Sequence, residues 1–286
     1  MAHPSIKWSV SAIQSIALAL LQTAVPAVRA QPAAGPVRAI PVAQGLENPW
    51  GLAFIEGGRF LVTERPGRLR VVEADGRLSP PVEGLPTVAS TGQGGLLDVV
   101  LDRGFASNRT LYFCFSEPAP AGAAGNSTAL ARARLSEDRT RLDDLRVVFS
   151  QRPKVASSLH FGCRIVEGMK DGRPDGTLFL TLGERFQRMQ DAQTLDNHHG
   201  KVVRVGKDGS VPRDNPFVGR AGALPEIFSY GHRNPQGATL SPDGRLWMHE
   251  HGPQGGDEIN LPQPGRNYGW PVITFGEQYG GGPIGA

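Results

Sequence analysis

Short apolar runs alternate with polar positions from residue 46 onward, and glycine-containing turns break them at irregular intervals. Gly51-Leu52-Ala53-Phe54-Ile55 turns at Gly57-Gly58 into Phe60-Leu61-Val62-Thr63, and Arg68-Leu69-Arg70-Val71-Val72 follows before Asp75-Gly76. A second unit opens at Gly94-Gly95-Leu96-Leu97 and continues through Thr110 to Phe115. A third opens at Gly162-Cys163-Arg164-Ile165, turns at Asp175-Gly176 into Thr177 to Thr181, and closes with Lys201 to Val205 and Asp208-Gly209. A fourth opens at Gly237, turns at Asp243-Gly244 and continues through Arg245 to Met248. Period-two alternation bounded by Asp-Gly and Gly-Gly turns predicts antiparallel hairpins. Helix-period segments are few. The best is Leu130 to Leu145, and its pattern is weak.

Sheet-sized units opening at Gly51, Gly95, Gly162 and Gly237 predict an all-β propeller with variable loops, with about four blades in this chain. The 37 Gly and 24 Pro among 286 residues fit many short strands and leave little room for long helices. A propeller normally closes into a ring, and Gly280 to Ala286 reads as mid-loop sequence, so the propeller domain at 45–286 is expected to be C-terminally incomplete. An open ring would leave apolar sheet faces bare. A complete four-bladed propeller is the plainer alternative.

Residues 1–30 read as a secretory signal: Lys7 near the start, an apolar stretch from Ile13 to Val25, and Val28-Arg29-Ala30 at the cleavage site. An uncleaved anchor is the alternative. Residues 31–44 form a Pro/Ala-rich arm, and no later segment has the ~18 to 20 apolar residues a membrane helix needs. A periplasmic or secreted protein with no membrane span after cleavage follows. Removing the leader takes Lys7 and Arg29 from the net charge of +3, and the remaining bases are interspersed with acids, so no nucleic-acid partner is indicated. Cys114 and Cys163 are the only cysteines, and a disulfide and two buried thiols are equally open.

Four stretches are more polar than strand packing requires: Gly92 to Asp98, Leu159 to Arg164, Gly231 to Gly237, and His251 to Asn260. Each lies at or beside a unit opening, and in a propeller such points gather at one end of the central channel. With Asn48-Pro49-Trp50-Gly51 and Asn267-Tyr268-Gly269-Trp270-Pro271 they form an ordered set over roughly residues 45–280. That set resembles the soluble pyrroloquinoline-quinone (PQQ) aldose sugar dehydrogenases of the glucose/sorbosone dehydrogenase family, which are six-bladed.

The resemblance implies oxidation of an aldose sugar at C1 to the lactone, with PQQ as cofactor, calcium beside it, and an unidentified electron acceptor. It implies that His160 is the general base, suited by an imidazole pKa of ~6.5. Arg233 would stabilise charge on the reduced quinone, with Asn234 beside it. Gln93 matches a side chain reaching cofactor or substrate, and a turn-stabilising amide explains it equally well. The carbonyls of Gly252 and Pro253 would hold the calcium that docks PQQ, and Glu258, Tyr268 and Tyr279 a second, structural calcium. Leu159 stands where the glucose-specific enzymes carry an Asp before the histidine, which favours the broader aldose subgroup.

His249-Glu250-His251 and His198-His199 lack zinc-helix spacing, and strand alternation turns His249 and His251 away from Glu250. Asn108-Arg109-Thr110 and Asn126-Ser127-Thr128 are sequons with meaning only in a eukaryotic secretory route. Two other functions compete. A calcium-dependent lactonase would need several acidic ligands on one metal, and a non-enzymatic binding propeller would have no need of His160 with Arg233.

Overall fold

The computed structural model describes residues 37–285, so the expected leader and the first part of the arm lie outside the described residues. One compact unit begins at Pro41. Its strands form four antiparallel sheets, each an up-and-down meander, following one another along the chain. The first holds β1 (Pro49–Ile55), β2 (Arg59–Glu64) and β3 (Arg68–Val72). The second holds β4 (Leu96–Leu101), β5 (Thr110–Pro118), β6 (Asn126–Leu135) and β7 (Leu142–Ser150), with a single helical turn, α1 (Phe105–Asn108), between β4 and β5. The third holds β8 (Ile165–Lys170), β9 (Arg173–Leu182), β10 (Lys201–Gly206) and β11 (Ile227–Tyr230), and the fourth β12 (Pro235–Leu240), β13 (Leu246–Glu250) and β14 (Glu258–Asn260). The all-β propeller architecture expected from the alternation is what the chain forms, and each predicted unit opening falls at the first strand of a sheet.

Alternation acquires a second meaning here, because an inner sheet packs on both sides. Leu111, Phe113 and Phe115 of β5 join a core shared with Leu61, Leu69 and Val71 of the first sheet. Their neighbours Tyr112 and Cys114 face the other way, into a core with Ile165, Leu178, Leu180 and Val203 of the third sheet. β8 and β9 repeat the division: Val166 and Phe179 meet Leu246 and Met248 of the fourth sheet. The outer faces of the first and fourth sheets leave Leu52 at 49%, Phe54 at 75% and Ile259 at 75% exposed.

Two local expectations are corrected. The β8–β9 hairpin turns at Asp171-Gly172, whose φ values of 52° and 74° suit a tight primed turn, rather than at Asp175-Gly176. Asp175-Gly176 lies inside β9, where the ladder slips between Glu167 and Met169, and the Asp175 carboxylate accepts the Thr177 N–H at 2.9 Å. An Asp-Gly pair signals positive φ, and a bulge uses it as readily as a turn. The weak helical pattern from Leu130 to Leu145 belongs to β6 and β7. β6 buries consecutive residues from Ser127 to Ala131 because it serves two cores, which erases the polar half of its alternation.

Cys114 and Cys163 are joined in a disulfide across the second core, 6.7 Å between Cα atoms, 49 residues apart in sequence. Asp98 of β4 ties the same seam: its carboxylate accepts the Arg164 guanidinium at 2.7 Å and the Ile165 N–H at 2.8 Å. Burial pushes the Asp98 carboxyl up, against the pull of Arg164. Closing a loop of this length removes unfolded-state entropy worth about 4 kcal/mol. Replacing both cysteines with alanine is expected to lower unfolding free energy by about 2–4 kcal/mol in urea denaturation. An unchanged midpoint would show that packing alone holds the seam.

Candidate active site

The second strands of the sheets carry glutamates at corresponding ends. Glu64 ends β2 and Glu250 ends β13. Each uses its carboxylate to accept the backbone N–H just ahead of its sheet's first strand, Glu47 for Glu64 and Arg233, at 2.6 Å, for Glu250. Glu184 stands just past β9 in the same relation to the third sheet, and its bond is different. Its Oε1 meets Nδ1 of His160 at 2.9 Å, and its Oε2 is buried with no hydrogen-bond partner. Both residues are almost fully buried.

His160 sits at φ 50°, in the left-handed region that side chains other than glycine seldom adopt. Four neighbours over-determine it. The exposed Gln93 accepts the His160 N–H at 2.8 Å through its side-chain oxygen. Arg185, fully buried, donates to the carbonyls of Leu159, Ser157 and Asn126 and lies 3.8 Å over the Phe161 ring. Burial pushes the Arg185 guanidinium down to about 10. Phe186 meets the imidazole edge-on at 5.3 Å. Gly183 has no room for a side chain, since a Cβ there would lie 2.1 Å from the His160 carbonyl.

Arg233 reaches the same strand end from the fourth sheet, its carbonyl accepting the Glu184 N–H at 2.9 Å. Its side chain is 4% exposed yet has no carboxylate partner among the described residues. Nη1 donates to the carbonyls of Gly252 at 2.7 Å and His251 at 3.1 Å, Nη2 to the Tyr279 hydroxyl at 3.1 Å, and Nε is unpartnered. The guanidinium lies 5.2 Å from the Trp270 ring. A buried cation held only by neutral acceptors is costly until an anion joins it. Glu184, Arg233, Pro253, Trp270 and Tyr279 line one cavity of about 780 Å³, together with Phe186 and Met189. Lys201, buried beneath, donates to the carbonyls of Asp191, Ala192 and His199 and so fixes the turn that carries Met189. Burial pushes its ammonium down to about 7.

The remaining expected residues divide. Asn234 does not point its oxygen at open space: that atom accepts the Gly162 N–H at 3.2 Å and so braces the His160 loop. Pro253 lines the cavity, and the carbonyl of the preceding Gly252 accepts from Arg233. The side chains of Glu258, Tyr268 and Tyr279 each have their own hydrogen-bond partners. The Tyr268 hydroxyl donates to the Leu261 carbonyl, the Tyr279 hydroxyl serves Arg233, and Glu258 accepts from Asn260 at 3.1 Å. Burial pushes the Glu258 carboxyl up, with Glu250 adding to the effect. Among the described residues no cluster of three or more His, Cys, Asp and Glu could hold a metal.

His198 and His199 are buried with both ring nitrogens engaged, and burial pushes both down. His232 accepts or donates at 2.8 Å to Ser229 and at 2.9 Å to Glu250, a row with the connectivity of a hydrolase triad. Ser229 is fully buried, however, and cannot meet a substrate. Glu184 and Arg185 escaped the sequence reading. The glutamates that end the second strands of the first and fourth units, Glu64 and Glu250, were the signal that could have found Glu184.

The profile of the Glucose / Sorbosone dehydrogenase family matches residues 46–286. The chain belongs to that family. It is 49% identical over 238 residues to aldose sugar dehydrogenase YliI of Escherichia coli (strain K12), a match covering 82% of this chain and 62% of that protein. This family member thus spans less than two thirds of that relative's length. With quinoprotein glucose dehydrogenase B of Acinetobacter calcoaceticus it shares 29% identity over 257 residues, 82% of this chain and 52% of that one. Among solved structures, the PQQ-bound aldose sugar dehydrogenase of Streptomyces coelicolor superposes with a TM-score of 0.68 at 33% identity, covering 89% of this chain and 71% of that one.

Gln93→Ala would leave the His160 N–H without its acceptor. The expected cost is about 1–2 kcal/mol in urea unfolding, whereas a loss below a few tenths would mean that Gln93 does not brace the loop.

Proposed function

We propose that this chain carries the cofactor-binding and catalytic machinery of a periplasmic or secreted PQQ-dependent dehydrogenase that oxidises aldose sugars at C1 to the lactone. One observation carries the reading: a carboxylate-paired histidine and a buried arginine lacking any carboxylate partner meet at the same strand end, beside one cavity. PQQ suits these residues because it is flat and anionic, and the cavity offers aromatic walls at Trp270 and Phe186 and an uncompensated guanidinium at Arg233. When bound, PQQ supplies the two-electron acceptor for the hydride that leaves C1. The physiological electron acceptor is a separate partner that the site does not identify.

The protein's own contribution starts from the tautomer of His160. Nδ1–H donated to the Glu184 carboxylate leaves Nε2 as a lone pair, which takes the proton of the C1 hydroxyl. Glu184 then stabilises the imidazolium so formed, and the brace of Gln93 and Arg185 keeps the ring from swinging away. Arg233 places fixed positive charge where negative charge develops, with no reorganisation needed. Pro253, Phe186 and Trp270 exclude water, which strengthens each of these interactions. Calcium is also part of the reading: the Gly252 carbonyl already accepts a cationic group at 2.7 Å, so the turn can hold the metal through Gly252 and Pro253 oxygens. As a Lewis acid that metal would polarise a quinone oxygen. Glu258, Tyr268 and Tyr279 enter no step.

PQQ titration with calcium, followed by quinone absorbance and its reduction on adding a panel of aldoses, tests the assignment. His160→Ala should keep PQQ binding and lose sugar-dependent reduction by about 10²–10⁴-fold. Glu184→Gln, which keeps the shape and removes the charge, should lower kcat by about 10–100-fold with little change in KM. Reduction that survives in His160→Ala would end the general-base role.

A further inference from the structure

Lys201 opens β10 fully buried, and its ammonium donates to main-chain oxygen alone. The acceptors are the carbonyls of Asp191 at 2.8 Å, Ala192 at 3.3 Å and His199 at 2.5 Å. We propose that Lys201 is a positioning residue for the sugar: it holds the single helical turn Met189–Gln193, whose Met189 and Gln190 line the cavity, against β10. The inference rests on the sugar-oxidation reading and adds to it the group that sets how tightly the sugar is held.

The turn has little else to hold it from within. Ala192 is its only buried residue, and one methyl group removes little apolar surface from water. Carbonyls at the end of a helical turn lack partners inside it, and an ammonium beneath them supplies three donors at once. The contact has no slack, because a Cβ on Gly200 would lie 2.3 Å from the His232 carbonyl oxygen and 2.8 Å from Cβ of Ala192. Arg233 does not depend on this hold: Glu250 accepts its N–H at 2.6 Å, and its carbonyl accepts the Glu184 N–H. Loosening the turn therefore disturbs the Met189 and Gln190 wall and leaves the guanidinium in place. Protonation matters as well, since a neutral amine has two donors for the three carbonyls. The carboxylates of Asp191 and Asp196 favour the ammonium, burial and the nearby His198 oppose it, and β9 and β11 set Leu182 and Tyr230 opposite. Burial prevails and pushes the group down to about 7, so the hold weakens as pH rises above that value.

Hydrogen exchange on the protein without cofactor reads the hold directly. Lys201→Met, uncharged and of similar length, should speed exchange of the Gly231 and Thr194 N–H groups, which donate to the Ala192 and Asp191 carbonyls, by at least about tenfold. Amides of β5 should be unchanged. With PQQ and calcium supplied, the same variant should raise the sugar KM at least about fivefold, with kcat and PQQ affinity within about twofold of wild type. Wild-type KM should rise between about pH 6 and 10. Asp191→Asn withdraws a charge that favours the ammonium, so the rise should begin at lower pH, which keeps the test decisive if Lys201→Met misfolds. Unchanged exchange in Lys201→Met, or faster exchange with an unchanged KM, overturns the positioning role. So does a wild-type KM that stays level with pH, or an Asp191→Asn profile that does not move. Sugar-dependent reduction missing from wild type overturns the oxidation reading and the inference together, whatever the exchange shows.

Discussion

Burial of the inner sheets on both faces governs this molecule. A strand in a sheet with one wet face can spend every second residue on solubility. Strands β5, β6, β8 and β9 cannot, and they distribute successive side chains between two separate cores. Polar chemistry is consequently pushed to the strand ends and the loops that precede them. That is where Gln93, His160, Glu184 and Arg233 are found.

The strand ends share a device, and the site is a departure from it. Glu64 and Glu250 neutralise the orphan N–H ahead of a first strand, a structural duty any sheet entering from a loop must discharge. Glu184 leaves that duty and takes an imidazole instead, which places a carboxylate–histidine pair at full burial without adding an element to the fold. The cost is visible in the left-handed backbone of His160 and in the four-acceptor grip of Arg185 nearby. Arg233 shows the complementary case. Its backbone keeps the common arrangement with Glu250, and its side chain is released to serve the cavity.

Much of this was legible in the order of residues. Glycines and Asx-Gly pairs mark where sheets begin, because positive φ and close backbone approach leave few other choices. His160 and Arg233 stood out because strand packing does not explain an imidazole or a guanidinium beside a unit opening. Glu184 and Arg185 did not stand out: they follow the buried half of β9, Thr177 to Leu182, and their partners come from segments distant in sequence. Asp175-Gly176 misled because positive φ is common to turns and bulges. The Cys114–Cys163 pairing depends on two sheets lying face to face, a relation no local pattern encodes.

The two-sided inner sheets also bear on how such a chain can change over evolutionary time. Tyr112 and Phe113 are bonded neighbours, yet they answer to different surroundings, one seam apiece. Substitutions at adjacent positions of β5 should accordingly accumulate independently, while Tyr112 should vary in concert with residues of the following unit and Phe113 with those of the preceding one. Drift in such a protein would be inherited by seams rather than by strands.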